Sequence, residues 1–447
     1  MKRALKNQSV SASFHCGACG QEASHVTPVP AINYFLLFLI PNKNVDKSQY
    51  SYFRFSDAEY AHRHKNIREF MAEQNLDCLL IAGEAAVWDR CWANIVYVMN
   101  WMGTMERPAY CIFPKEGEPV VTCLVLNAGF PDRVARATLG EVRGGTDTTM
   151  LAVERIQELG LQKGRIGLIE PGVVNSIPFN HMNTLTKELP QAEFVSVTKD
   201  WWLMRLSKSS EEVAVLAEIA HWSDLAHMEL AKMIRPGVTE RDLFCTVYNT
   251  VYSHGADHPS MLLIGTGPME QSYGNFHRNR PVDRVLQRGD VVRTELGPRH
   301  PGGYEAQVGH LFTLGPPTQL YQELFGKALE THNRIRDVLL VGNTEMDVWE
   351  AQRTFRESNY NPQLPKASNW AIIHGMFSVP KDDPQQRVAI DPPKERNPFV
   401  EYQLLAVEVH AATPDFTGGA WVCKPYLVMP EGPPKALSQL PIEITVL

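Results

Sequence analysis

The chain has 447 residues, 44% of them hydrophobic, and carries 43 Lys and Arg against 50 Asp and Glu for a formal net charge of −7. That is enough apolar material for two ordinary domains, or one large and one medium domain, around a substantial core, which excludes a disordered or fibrous protein. A mildly acidic balance with no run of five or more basic residues leaves no footprint for nucleic acid or an anionic membrane, so neither is expected as a partner.

Residues 1 to about 50 show no sustained period and read as an irregular N-terminal extension. Within it, Cys16 and Cys19 form "CGAC", but only His15 and His25 lie nearby, and a zinc knuckle needs a second Cys/His pair at suitable spacing. The apolar stretch "YFLLFLI", Tyr34 to Ile40, is far short of the roughly 20 residues that span a bilayer. It also lacks a basic segment directly before it and a small-residue cleavage site after it, so a cytoplasmic protein is expected.

From Ser56 the pattern becomes regular. Ser56 caps a helix expected to run to about Gln74, and "DCLLIAG" is a short buried strand closed by Gly83. Strand-like runs follow at "AYCIFP", "PVVTCLVL", "RIGLIE" and "EFVSV", with the helical stretch "TTMLAVERIQELGL" among them. This alternation predicts an α/β domain over residues 51–200. Next, Ser209 or Ser210 caps a helix whose apolar stripe runs Val215, Ile219, Trp222, Ala226, Leu230, Met233, ended by Pro236-Gly237. Thr239 opens another, with Asp242 three residues on. Beyond residue 260 the chain turns to antiparallel β at "SMLLIGTG", "DVVRTEL", "EAQVGHLFTLG", "LLAVEVHAA" and "WVCKPYLVM", with one long helical insert around 318–357. Residues 201–447 are thus expected to form an α+β domain. Cys78, Cys91, Cys111, Cys123, Cys245 and Cys423 all sit in apolar or mixed surroundings, as reduced core thiols do.

Several polar residues stand out against this background. Glu408 is a single acid on an apolar strand; alternation puts it on a face with Leu404, Ala406 and His410, and there an ionised acid calls for a cationic partner. Arg278 and Arg280 flank His277 and could fork onto a substrate carboxylate.

Three stretches, "RLSKSSEEV…RPGVTERDL", "GTGP…H…GD" and "GDVV…ELG…GY", resemble the superfamily of methionine aminopeptidase, prolidase, aminopeptidase P and creatinase, over roughly residues 55–435. The resemblance implies the pita-bread fold for the C-terminal domain and a creatinase/prolidase-like N-terminal domain. It also implies a homodimer in which one subunit's N-terminal domain helps close its partner's cleft, with Trp88, Trp92 and Trp101 as candidate lid residues. The family's peptidases hold two metal ions with two Asp, one His and two Glu. Carried across motif by motif, those positions fall on Glu295, Gln307, His374, Glu408 and Cys423, and only His374 and Glu408 are unchanged. The two bridging carboxylates become Gln307 and Cys423, an amide and a thiol that supply too little negative charge for two cations. No cofactor is therefore expected. The alternative is one divalent ion such as zinc on Gln307, His374, Glu408 and Cys423.

Creatinase, on the same fold, hydrolyses a C–N bond without metal using a histidine upstream of the ligand strands, a position matched here by His277. The resemblance thus implies a hydrolase of a small polar amidino, amide or cyclic imino compound. His277 would be the acid/base, with Glu408 and His374 orienting substrate or water and Glu295 and Gln307 lining the former metal cleft. Where the peptidases place a second histidine, this sequence reaches Lys381, a possible oxyanion donor. Two alternatives stay open: a mononuclear hydrolase or lyase, resembling Xaa-Pro peptidases or a dimethylsulfoniopropionate-cleaving relative, and a non-catalytic binding member.

Overall fold

The structure is a computed structural model of the chain and describes residues 52–83, 93–103, 108–125, 138–171, 176–272, 278–357, 370–374 and 397–447, the strand 370–374 by its backbone. The N-terminal extension with its "CGAC", and Trp88, Cys91, Trp92, His277 and Lys381, lie outside the described residues. Among the described residues no helix is long and apolar enough to cross a membrane.

The first half is built on a six-stranded sheet. Its strands are β1 (Cys78–Gly83), β2 (Ala109–Pro114), β3 (Val120–Leu124), β4 (Glu141–Gly145), β5 (Arg165–Ile169) and β6 (Glu193–Ser196), in the order β4-β3-β2-β1-β5-β6. β1 and β2 are buried along their whole length, which explains why they read as unbroken apolar runs. The helix Asp57–Glu73 starts where its cap requires, Ser56 Oγ accepting from the Glu59 backbone N–H at 3.1 Å. Trp101, expected among lid residues, is instead 1% exposed inside the core of this half, packed with Val96, Met99 and Trp201, and so cannot serve as a lid.

The second half carries two four-stranded sheets. One contains β7 (Asp257–Pro268), β8 (Asp290–Arg299), β9 (Val308–Thr313) and β14 (Ile444–Val446) in the order β14-β9-β8-β7. The other contains β10 (Trp370–His374), β11 (Leu404–Ala412), β12 (Gly419–Leu427) and β13 (Lys435–Ala436), in chain order. Pairing is antiparallel except where β14 joins β9. Helix Ser210–Met233 packs on β8 and β9, and helix Gln319–Asp337 on β11 and β12. The two sheets meet along β9 and β12. Of Ser209 and Ser210 it is Ser209 that caps, in a capping box with Glu212, and Thr239 forms its box with Asp242.

Two expectations need correction. The single helical insert is three helices, Gln319–Asp337, Glu345–Ala351 and Arg353–Glu357. The break has a local cause: Gly342 adopts φ 87°, and Thr344 with Asp347 forms a further capping box that starts a new helix. Cys245 is exposed rather than buried, because its helix Glu240–Ser253 turns Leu243, Phe244, Val247 and Val251 inward and leaves that position facing out.

A buried ionic network ties the halves together. Arg63 donates to Glu59 Oε1 at 2.7 Å, to Tyr97 O at 3.3 Å and to the Tyr304 hydroxyl at 3.3 Å, while its guanidinium lies 4.1 Å from the Phe55 ring centroid and 4.4 Å from that of Tyr97. Tyr304 in turn donates to Glu212, the capping acid of helix Ser210–Met233. Burial alone would raise the Glu212 carboxyl, but Arg63, Lys208, Tyr304 and the Ser209 backbone outweigh it and hold the group below its ordinary range. A depressed folded value means a contribution complete above the unfolded value and lost as pH falls through the folded one. Glu212→Gln should therefore lower stability at pH 7 by about 3 kcal/mol and flatten the acid limb of the curve. Urea unfolding from pH 7 down to pH 3 checks this; wild-type and variant curves that stay parallel would contradict it.

Candidate active site

Because successive side chains on a strand alternate between faces, Arg293 and Glu295 share one face of β8. Glu295 pairs with Gly309 on β9, and Glu408 pairs with Cys423 across β11 and β12. Where β9 meets β12 there is no room for a side chain: a Cβ on Gly309 would stand 2.3 Å from Trp421 Cζ3 and 2.8 Å from Cys423 Cβ. The bare backbone at Gly309 thus brings residues of both sheets to one place.

There Gln307 joins them. Its side-chain Nε2 donates to Glu295 Oε1 and, at 2.5 Å, to Glu408 Oε1. Only the N–H2 side of an amide can face two carboxylates, since its oxygen would add a third acceptor. All three residues are buried, with Gln307 only 1% exposed. Arg293 is buried beside them, its guanidinium carbon 4.8 Å from the Trp421 ring centroid. Burial pulls its pKa down to about 10, opposed by Tyr321, Glu295, Glu408 and Cys423, so it stays charged at neutral pH. Burial, then Glu408 and Glu295, push the Cys423 thiol well above its usual value; Arg293 and the Gly309 backbone pull back less. Cys423 is accordingly a neutral thiol.

A cavity of about 10 Å³ adjoins the guanidinium, lined by Gly265, Ser272, Val291, Arg293, Tyr321 and Gly419. That is room for about one water molecule. A larger groove of about 550 Å³ lies beside Gly237, Asp242 and Cys245 and contains none of these groups.

The remaining expected residues distribute unevenly. His374 pairs with Ala406, two register positions from the Ile372–Glu408 pair. Arg278 donates from one terminal nitrogen to buried Glu240 at 2.9 and 3.1 Å, and its backbone bridges to Ile264 on β7. An acid without exposure needs that cation, which is why the arginine turned inward. Arg280 is exposed.

A profile of the Creatinase/Prolidase N-terminal domain matches residues 63–207, and one of Metallopeptidase family M24 matches residues 214–429. The chain belongs to the pita-bread superfamily of creatinase, prolidase and aminopeptidase P. It is similar to a creatinase from a Bacillus strain, 24% identical over 311 residues, covering 68% of this chain and 72% of that one. An Xaa-Pro dipeptidase from Pyrococcus horikoshii is 22% identical over 315 residues, covering 70% and 80%. The crystal structure of an X-Pro aminopeptidase from Thermotoga maritima superposes with a TM-score of 0.65 at 19% identity over 83% of this chain and 98% of that one, a likeness that shows the fold.

Within this superfamily the described donors do not fit a pair of metal ions. Gln307 points amide hydrogens, not lone pairs, at both carboxylates, and the Arg293 guanidinium is buried alongside. Among the described residues no group of three or more His, Cys, Asp or Glu is arranged to hold a metal.

Sequence reasoning overlooked Arg293. The signal was present: an arginine inside the apolar strand "DVVRTEL", two residues before Glu295 and therefore on its face.

Replacing the shared donor should expose the repulsion it relieves. Gln307→Glu sets a third acid between two carboxylates, so its folded pKa is raised and its contribution, present at low pH, is lost as pH rises. Relative to wild type, the thermal midpoint of Gln307→Glu should drop by several degrees at pH 8 and much less at pH 5, roughly what 2 kcal/mol produces in a chain of this size. An equal drop at both pH values in a thermal-melt series would rule this out.

Proposed function

We propose that the protein is a hydrolase of a small polar C–N compound, acting without the dinuclear metal centre of its peptidase relatives. The observation that carries this reading is the Gln307 amide bridging Glu295 and Glu408 on the inner face of a pita-bread fold. Counted as ionised, the two carboxylates bring two negative charges against one positive from Arg293. One negative charge is left for the substrate, which favours a monocationic group such as an amidinium over a neutral amide.

In this mechanism His277 takes a proton from water as the water oxygen bonds to the substrate carbon, and returns that proton to the nitrogen as the C–N bond breaks. The next residue, Arg278, is bridged to Ile264 on β7, the strand whose Leu263 pairs with Glu295; this supports a role for the segment beside the carboxylates. Glu408 binds the cationic end of the substrate, and His374 orients substrate or water. Lys381 donates to the developing oxyanion. The working assembly is a homodimer, as the resemblance to creatinase and prolidase implies, and its proposed compartment is the cytoplasm.

A non-catalytic binding member is the second reading, favoured by the burial of Glu295 and Glu408 at 6% and 5% exposure. The two readings part on a panel of amidino acids, Xaa-Pro dipeptides and cyclic imides assayed by mass spectrometry for the hydrolysed product with chelator present. Turnover that survives chelator is expected. His277→Ala should lower it by roughly 10²-fold, and the wild-type rate should rise with pH through a pKa of roughly 6.5. Glu408→Gln should weaken cationic substrates more than neutral ones. Full activity in His277→Ala would end the proposed mechanism, turnover abolished by chelator would end its metal-free character, and no turnover on any class would leave the binding reading.

A further inference from the structure

Arg293 enters the charge count above, but the carried-over family pattern has no position for it and no step of the mechanism passes through it. Its setting is specific. The glycine at position 309 lets Trp421 lie against β9, and the Trp421 ring then covers the guanidinium. Arg293 shares a face of β8 with Glu295, and the Gln307 amide brings Glu408 to that same carboxylate. A buried guanidinium is costly to desolvate, and the attraction that offsets the cost comes from the buried carboxylates of this cluster, Glu295 and Glu408. Arginine is suited to such a place: its charge is permanent, spread over a plane and weakly hydrated.

We propose that Arg293 is a resident cation of this site, balancing Glu295 and Glu408 with a fixed charge where metal ions would otherwise do so. The proposal deepens the metal-free reading and rests on it. Its consequence is that metal is kept out by competition: a divalent ion entering between the carboxylates meets both the amide hydrogens of Gln307 and the repulsion of the guanidinium.

The test uses the full-length protein, with no need for substrate. Calorimetric titration with Mn²⁺ and Zn²⁺ is run on wild type, Arg293→Lys, Arg293→Met, Glu408→Gln and the double variant Arg293→Met/Glu408→Gln, and thermal midpoints are taken for each without metal. Removing the charge while keeping apolar bulk should tighten divalent binding by roughly tenfold or more in Arg293→Met, while Arg293→Lys stays near wild type. The midpoint lost in Arg293→Met should be partly regained in the double variant, because deleting one carboxylate relieves the charge left unpaired. Equal metal affinity in wild type and Arg293→Met, or a double variant that loses the sum of the two single losses, would overturn the proposal. Should Arg293→Met fail to fold, a double variant that folds supports the charge pairing, and one that fails while Glu408→Gln alone folds refutes it. Failure of this proposal leaves His277 chemistry standing, and absence of turnover leaves these binding and stability readouts intact.

Discussion

Two acids from different sheets share one amide. Glu295 on β8 and Glu408 on β11 both accept from Gln307, and the remainder of the site is arranged so that they can. Two carboxylates taken out of water and set this close repel, and a fold that keeps them must supply either cations or hydrogen-bond donors at the same spot. This chain supplies both from its own residues. The geometry follows from that demand: no side chain at position 309, so β9 and β12 can close, and an indole over the guanidinium.

The same demand reaches the interface between the halves. Gln307 lies three residues after Tyr304, and Tyr304 is held by Arg63 from the first half and by Glu212 from the start of helix Ser210–Met233. The intervening turn is tight: the backbone of His300 donates to Tyr304 O at 2.8 Å and Gly303 sits at φ 86°. The chain therefore enters β9 from a segment anchored at Tyr304, and one buried network both caps a helix and joins the two halves just ahead of Gln307.

Much of this was legible in the sequence because the signals were local. Ser56, Ser209 and Thr239 each announce a helix through a hydroxyl and, for the last two, an acid three residues on, and each caps one. Strand β11 runs over the very residues of "LLAVEVHAA", since a buried strand with one acid has no other reading. What escaped was non-local or two-sided. β14 has only three residues and exists because the end of the chain pairs with β9. Arg278 gave no sign of its pairing with Glu240, which lies 38 residues away. Trp101 was indistinguishable from a surface anchor until its neighbours were known. Thr344 was an oversight of another kind, a capping box as plain as the others but submerged in a long helical-looking stretch.

Arg293 shows why a site can be misread even when its fold is recognised. The carried-over positions mark what changed from acid to amide and from acid to thiol, and counted alone they describe a loss: fewer donors, less negative charge, no metal. A pattern of ligands has no place for a buried arginine on the same face of the strand. Yet once the charge of two ions is gone, two remaining carboxylates are still too many for a dry pocket, and the deficit must be met by something positive on the same face. Alternation along β8 leaves few positions from which a side chain could meet it, and position 293 holds an arginine. Read this way, Gln307, Cys423 and Arg293 are not three separate departures from the peptidase pattern. Each lowers the negative charge of the cleft, the balance on which the proposed metal-free reading rests.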